Sequence, residues 1–96
     1  MYRVEIPRAV EKDIKKISSE AQAQLDKHLE NLSKNPFRAK LLRGPYRKLK
    51  LRKWEFKVGR TEYRIVFRIL KEEKVLLLSM VGSREGFYQR LKERIL

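Results

Sequence analysis

The chain has 96 residues, with 25 Lys and Arg against 12 Asp and Glu, which gives a formal net charge of +13. It contains no cysteine and one histidine, so disulfides and thiolate metal sites are excluded and a structural zinc site is not expected. The length predicts a single domain over residues 1–96. The charge predicts a polyanionic partner, for which nucleic acid is the usual candidate.

The sequence has neither a visible membrane span nor a secretion signal. No apolar run approaches the length that a bilayer requires, and the first residues lack the charged-then-apolar layout of a signal peptide. The missing cysteines fit a reducing compartment. These observations predict a cytoplasmic protein with no membrane partner.

The first third of the chain predicts a strand followed by two helices. Residues 2–6 alternate between apolar and charged side chains, which is the period of a β-strand. Apolar residues then recur at helical spacing over residues 8–17 and again over residues 19–34. Ser19 and Gln22 form a capping-box pattern there, and an Asn-Pro pair follows the end. Two amphipathic helices joined so closely form a hairpin that needs a sheet to cover.

A small antiparallel sheet is expected from the following segments. Residues 54–58 and 63–69 alternate with period two and are separated by a predicted turn of about four residues. Residues 75–78 are continuously apolar, as in a central strand covered on both faces. An apolar stripe over residues 87–95 predicts a short C-terminal helix. The order is βααβββ plus this helix, so the predicted fold class is α+β.

The region before residue 54 breaks the alternation. Leu49 and Leu51 alternate with basic residues in the opposite phase to residues 54–58. We therefore expect an edge strand that starts near Lys48, and a turn or bulge near Arg52 that reverses the phase.

The register of the predicted hairpin decides which side chains meet. A four-residue turn sets Lys57 opposite Arg64, and directly opposed residues project from the same side of a sheet. One side then collects aromatic and aliphatic residues. The other side collects a basic patch that consists of Lys53, Glu55, Lys57, Arg64, Val66 and Arg68. Opposed like charges cost roughly 0.2–1 kcal/mol, which favours an anion between them, and the alternative is that nearby glutamates neutralise the patch.

Arg84 and Tyr88 extend the patch from the end of the central strand. They lie four residues apart at a strand-to-helix junction. Because Phe87 takes the apolar stripe of the last helix, Tyr88 is turned partly away from it and is either a half-buried aromatic or a site residue. His28 is interpreted as a helix-edge residue, since a lone histidine without ligand partners is weak evidence for a site.

Three blocks, spread over most of the chain, carry a resemblance to known proteins. They are the strand and helical hairpin that end in Asn35-Pro36; Leu-Arg-Gly at residues 42–44 with Trp-Glu-Phe-Lys-Val-Gly at 54–59 and Tyr-Arg-Ile-Val-Phe at 63–67; and Val-Gly-Ser-Arg at 81–84 with Tyr88 behind it. In these blocks the sequence resembles the RelE/ParE superfamily of bacterial and archaeal toxins. The middle block is the most specific of the three.

The resemblance implies the toxin of a type II toxin–antitoxin system that cuts mRNA in the ribosomal A site. It matches the family's catalytic residues to Lys57, Arg64, Arg84 and Tyr88, whereas Glu55 stands where relatives have a second lysine. On this basis Arg64 and Arg84 bind the phosphate, and Lys57 either protonates the leaving 5′ oxygen or stabilises the charge that develops on it. Either Tyr88 or Glu55 accepts the 2′ proton, with Glu55 alternatively an ion-pair partner of Lys57 or Arg64.

The residue types favour RNA cleavage without a metal or another cofactor. The sequence has no histidine pair and no acidic cluster for two metal ions, and the 2′-hydroxyl of RNA can itself attack the adjacent phosphate. Basic residues around the catalytic set are expected to contact ribosomal and messenger phosphates, namely Arg52, Lys53, Arg60 and Arg68.

Two other functions are compatible with the same fold. One is a ParE-like toxin that inhibits DNA gyrase and cleaves no RNA, and the other is a basic RNA- or ribosome-binding module without catalysis. The expected partners are the ribosome, mRNA and a cognate acidic RelB-like antitoxin. That antitoxin would form a heterotetramer with the toxin and cover either the helical hairpin or the basic sheet.

Overall fold

The α+β fold class with its helical hairpin is confirmed in a computed structural model that describes residues 1–96. In chain order the elements are β1 (Arg3–Glu5), α1 (Arg8–Lys16), α2 (Ser19–Lys34), a 3₁₀ segment (Pro36–Arg38), β2 (Lys40–Leu41), a second 3₁₀ segment (Gly44–Leu49), β3 (Leu51–Val58), β4 (Thr61–Leu70), β5 (Val75–Ser83) and α3 (Phe87–Ile95). With 9 to 16 residues, the three helices fall short of the length and apolarity that crossing a lipid bilayer demands.

The five strands form one sheet in the order β1-β5-β4-β3-β2. Neighbours from β2 to β5 are antiparallel, as predicted, but the edge strand β1 runs parallel to β5, with Arg3 opposite Val75. Parallel neighbours need a long connection, and here most of the chain lies between the two strands. The continuous apolar run of β5 is buried between β1 and β4, as the sequence predicted.

The start of α2 is capped by a different serine from the one predicted. The hydroxyl of Ser18, which has an extended backbone, accepts a hydrogen bond from the Ala21 amide at 3.1 Å. Ser19 is already helical, and the Gln22 side chain donates to the Ile17 carbonyl at 3.2 Å. The predicted cap is therefore one residue late: Ser19 has the capping-box spacing to Gln22, but the extended backbone and the hydrogen bond to the Ala21 amide make Ser18 the N-cap.

The phase change before residue 54 has another cause than the predicted bulge. Strand β3 runs unbroken, but Phe56 is buried under the helical hairpin whereas Leu51 is buried on the opposite face, against Phe87 and Leu91 of α3. The expected edge strand near Lys48 is likewise wrong, since that residue lies in a 3₁₀ segment and the edge strand beside β3 is β2. Each face of the sheet packs on its own hydrophobic core, so the buried residues of β3 change from one face to the other along the strand.

The hairpin between β3 and β4 has a tighter turn than predicted. Only Gly59 and Arg60 separate the strands, and Gly59 adopts a φ of 60°, which suits the first central position of a two-residue hairpin turn. Each residue of β3 therefore pairs two positions earlier in β4 than expected, so Lys57 faces Glu62 instead of Arg64. The predicted pair of opposed like charges is wrong, and it no longer supports an anion between the strands.

His28 joins the helical hairpin to β3. Its ring stacks on Phe56, with 4.7 Å between centroids, and its Nδ1 accepts a hydrogen bond from the indole N–H of Trp54 at 3.0 Å. Burial lowers the pKa of His28 below its usual value of 6.5. A protonated imidazole carries hydrogen on both nitrogens, so protonation removes the acceptor that Trp54 uses.

Acidification should therefore lower the stability of the folded protein through His28. The unfolded chain protonates His28 near pH 6.5 and the folded protein only at lower pH, so the free energy of unfolding should fall as the pH drops below about 6.5. Urea unfolding at pH 7.5 and pH 5, followed by the fluorescence of the single tryptophan, measures this change. His28→Gln, which does not titrate, is the control. The same pH dependence in both proteins would contradict the assignment.

An ion pair between the buried Asp13 and the partly exposed Arg94 covers the edge of β5 beyond the end of β1. The Asp13 carboxylate accepts hydrogen bonds from the Val81 amide at 3.1 Å and from the Arg94 guanidinium at 2.7 and 2.8 Å. Arg94 also donates to the Ser79 carbonyl at 3.0 Å. The two side chains thus take up polar backbone groups that β1 is too short to pair, and they tie α1 to α3.

Removal of the Asp13 carboxylate should be strongly destabilising. Asp13→Ala leaves the buried Val81 amide and most of the Arg94 charge without partners, and we expect a loss of about 2–4 kcal/mol of unfolding free energy. Urea denaturation measures the loss. Asp26→Ala, which removes an exposed carboxylate from α2, is the control and should change stability by less than about 0.5 kcal/mol.

Candidate active site

The sheet face opposite the helical hairpin carries the predicted catalytic side chains of the strands. Strand alternation has period two, so a register shift of two residues leaves every side chain on its predicted face. Two cross-strand rows follow one another on this face. In the inner row Glu55 of β3 lies opposite Arg64 of β4, and in the outer row Lys57 lies opposite Glu62.

Arg64 lies at the centre of this face and is held by two contacts. Its Nε donates to Oε2 of Glu55 at 2.6 Å, and its guanidinium carbon lies 4.8 Å from the ring centroid of Tyr88 on α3. The side chain is only 12% exposed. Its two Nη atoms make no hydrogen bond within the chain, so the end of a fixed guanidinium is free to bind an anion.

Gly82 lies beneath the first turn of α3, next to Arg64. This residue pairs with Arg64 across β4 and β5. A Cβ atom at Gly82 would lie 3.2 Å from an Nη atom at the end of the Arg90 side chain and 3.8 Å from the Phe87 ring, an ordinary contact distance. The start of α3 is therefore close to the strand position that faces Arg64.

Glu55 is an ion-pair partner of Arg64. The hydrogen bond from Arg64 is the main cause that lowers the pKa of Glu55, and the positive charges of Lys53 and Lys40 act in the same direction against partial burial. The carboxylate therefore stays ionised at neutral pH. A carboxylate with so low a pKa has little tendency to take up a proton from a hydroxyl group.

The outer row brings Lys57 and Arg84 to either side of Glu62. Lys57 faces Glu62 from β3, and the Arg84 amide donates to the Glu62 carbonyl at 2.8 Å on the β5 side. The Arg84 side chain is 70% exposed, and one of its guanidinium nitrogens lies 3.4 Å from a Glu62 carboxylate oxygen, a long contact. Arg84 is thus placed beside the site but held loosely, in contrast to Arg64.

Glu62 is the residue at this site that the sequence analysis missed. It was assigned to the turn, because a turn of about four residues was expected after Val58. The signal that identifies it is Gly59, which favours a two-residue turn and so moves Glu62 into the strand. Each arginine at the site therefore has an acidic neighbour, which reduces the positive charge of the patch.

The predicted RNA-contact residues do not form one surface. Lys53 and Arg68 lie on the same face as Arg64, and Arg60 is exposed in the hairpin turn. Arg52 points to the other face, where it donates to the Ala39 carbonyl at 2.7 Å and holds the segment before β2. These contacts within the protein give Arg52 a structural role.

A basic cleft borders the site along the edge of the sheet. Its lining includes eight Lys and Arg residues and no Asp or Glu: Arg38, Lys40, Arg43, Arg47, Lys50, Arg52, Lys53 and Lys71. Tyr46 and Tyr88 also line it, and the Tyr46 hydroxyl donates to the Tyr88 carbonyl at 3.4 Å. The sequence analysis named only two of these basic residues, because the others lie in loops and short segments without a readable period.

The arrangement is suited to binding a phosphate group. Arg64 has a free guanidinium end with the Tyr88 ring against its face, and the exposed Arg84 and Lys57 lie beside Glu62 in the next row of the same sheet face. Preorganised cations of this kind stabilise negative charge that develops on an oxyanion. No group of three or more His, Asp or Glu side chains is close enough together to hold a metal ion.

Comparisons with known proteins bear on the family and the fold. Residues 4–92 match the model of the family of ParE-like toxins of type II bacterial toxin–antitoxin systems. A search of curated proteins finds no match. Among solved structures, a mutant of the Escherichia coli toxin RelE in the free state is 25% identical, with a TM-score of 0.75 over 99% of this chain and 98% of that one.

Two further RelE structures are similar over most of their length. The isolated E. coli RelE toxin is 26% identical with a TM-score of 0.68, and all of both chains is covered. A RelBE toxin–antitoxin complex from Mycobacterium tuberculosis is 25% identical with a TM-score of 0.70, over 86% of this chain and 98% of that one. The family match and the shared fold together identify the chain: it belongs to the ParE-like toxins of type II toxin–antitoxin systems and has the RelE type of structure.

Proposed function

We propose that this toxin is a cytoplasmic, ribosome-dependent endoribonuclease that cleaves mRNA without a metal ion and thereby inhibits translation. The observation that carries the proposal is the free end of the Arg64 guanidinium, fixed beneath the Tyr88 ring. An oriented arginine can stabilise the negative charge that develops on a phosphodiester attacked by its own 2′-hydroxyl, and a tyrosine beside it can take part in the proton transfer.

In the proposed reaction the 2′-oxygen forms a bond to phosphorus and the bond from phosphorus to the 5′-oxygen breaks. The products are a 2′,3′-cyclic phosphate and a free 5′-hydroxyl. Arg64 and Arg84 stabilise the phosphorane, which is more negative than the starting diester. Tyr88 accepts the 2′ proton, and Lys57 protonates the leaving 5′-oxygen.

Primer extension on mRNA in purified translating ribosomes tests the proposal. We expect discrete cuts that require both the toxin and the ribosome, and upstream fragments that end in a 2′,3′-cyclic phosphate. Arg84→Ala should lower the cleavage rate, because it removes a positive charge that lies beside Glu62 at the edge of the site. Intact message in the presence of folded wild-type toxin would reject the enzyme assignment.

Inhibition of DNA gyrase without RNA cleavage is the second candidate function. Two observations favour it: the family model is that of ParE-like toxins, and Glu55 and Glu62 reduce the charge around the arginines. A DNA supercoiling assay with purified gyrase distinguishes the two candidates. Gyrase inhibition that survives Arg64→Ala, with mRNA left intact, would replace the nuclease assignment.

The proposed regulator is an acidic, amphipathic RelB-like antitoxin that assembles with the toxin into a heterotetramer. Structural relatives include a RelBE toxin–antitoxin complex. In this chain the basic cleft is lined by eight cationic side chains and no carboxylate, which complements an acidic segment. Co-purification with the product of a neighbouring gene tests this, and a basic partner would contradict it.

A further inference from the structure

The ion pair between Glu55 and Arg64 is unusual in its placement at the centre of a proposed phosphate site. A carboxylate there reduces the positive charge that attracts RNA. Yet its oxygen lies 2.6 Å from Nε of Arg64, and it meets the arginine directly across the strands. The carboxylate therefore lowers the positive charge of the site but also holds Arg64 by a direct hydrogen bond.

The contact fixes one edge of the guanidinium and leaves another free. Glu55 accepts from Nε, the Tyr88 ring covers one face, and neither Nη atom is hydrogen-bonded within the chain. An arginine side chain that lacked these contacts would sample many rotamers and would lose that freedom on binding a phosphate. Because Glu55 and Tyr88 hold the side chain, Arg64 presents its two Nη atoms in a single orientation.

We propose that Glu55 is a positioning residue, which orients Arg64 toward the scissile phosphate and does not itself accept the 2′ proton. This inference rests on the proposed nuclease function. It assigns a role to the one position of the set where the sequence departs from the relatives it resembles, since a lysine there could not accept a bond from Nε.

The environment of Glu55 argues against the alternative role of general base. Oε2 of Glu55 already accepts a hydrogen bond from Arg64, and that hydrogen bond lowers the pKa of Glu55. Efficient general bases have a pKa near the working pH. A second alternative, that Glu55 serves only to weaken the positive field, does not require the close and directed contact with Nε.

A series of substitutions at one position separates these roles. Glu55→Gln keeps an oxygen that accepts from Nε and removes the charge, whereas Glu55→Ala removes both. We expect kcat/KM for ribosome-dependent cleavage to stay within about threefold of wild type in the glutamine variant, with an unchanged pH profile. We expect a fall of about 10- to 100-fold in the alanine variant, as for other misplaced catalytic groups. Glu73→Ala, which removes an exposed carboxylate from the turn before β5, is the charge-matched control.

A second measurement reports the contact without reference to activity. The Nε–H resonance of Arg64 in ¹H–¹⁵N NMR spectra should be protected from exchange in wild type and in the glutamine variant, and unprotected in the alanine variant. Thermal unfolding establishes that each variant is folded.

Each outcome bears on the proposal. Equal inactivity of Glu55→Gln and Glu55→Ala, with loss of the acid limb of the pH profile, would make Glu55 the base and overturn the positioning role. Unchanged or higher activity of Glu55→Ala would overturn it as well. Wild-type toxin that leaves message intact would reject the nuclease function and this inference with it. Cleavage by wild type that is unaffected in both variants rejects only the role of Glu55.

Discussion

Arg64→Ala is expected to lower kcat for ribosome-dependent mRNA cleavage by about 100- to 1000-fold, the cost of removing one preorganised donor from a developing oxyanion. The effect should be large because Arg64 is nearly buried and already held in place, so its stabilisation of the phosphorane requires little rearrangement. Arg64→Lys should recover only a small part of the loss, since an ammonium group cannot donate the directed Nε–H bond to Glu55 and still present two further nitrogens in one plane.

The control for Arg64 is Arg8→Ala, which removes an exposed positive charge from the start of α1 on the opposite side of the sheet. It should change the rate by less than about twofold, because an exposed charge distant from the reacting atoms contributes only to the long-range field. Equal losses in the two variants would mean that Arg64 acts through total charge, and the proposed site would lose its central residue.

Tyr88→Phe is expected to lower kcat by about 10²- to 10⁴-fold, the range for removal of a general acid or base, with a small change in KM. The substitution removes only the hydroxyl. The ring remains in place against Arg64 and Phe87, so that packing and the orientation of the arginine are preserved. A loss confined to kcat therefore reports the proton transfer itself.

The control for Tyr88 is Tyr2→Phe, which removes a tyrosine hydroxyl from the helical side of the sheet, where the ring lies against Phe37. It should cleave message as wild type does. Both binding hypotheses, gyrase inhibition and RNA binding without catalysis, predict that Tyr88→Phe still arrests growth. Growth arrest at the wild-type level by this variant, with message still cut, would remove Tyr88 from the mechanism.

The helices and the faces of the sheet could be predicted from the sequence because both depend on local periodicity. The apolar spacing of residues 8–17 and 19–34 predicted α1 and α2 to within one residue, and the Asn-Pro pair placed the end of the second. The alternation of β3 and β4 likewise assigned Phe56 and Tyr63 to the core face and Arg64 to the opposite face.

The errors arose where the outcome depends on contacts between distant segments. The phase change near Arg52 predicts a turn or bulge, but it reflects a second core beneath α3, which no local pattern reveals. The link between Asp13 and Arg94 joins residues 81 positions apart, so neither sequence neighbourhood predicts the other.

The sequence by itself determined which side chains share a face, since successive residues of a strand point to opposite sides whatever the register. Only the tertiary structure decided which of them meet. A turn of two residues set Glu55 opposite Arg64, and the packing of α3 over Gly82 brought Tyr88 onto the same guanidinium. The physical reason is that side-chain direction follows from the local backbone, whereas neighbours are set by turn geometry and by the burial of α3 against the sheet.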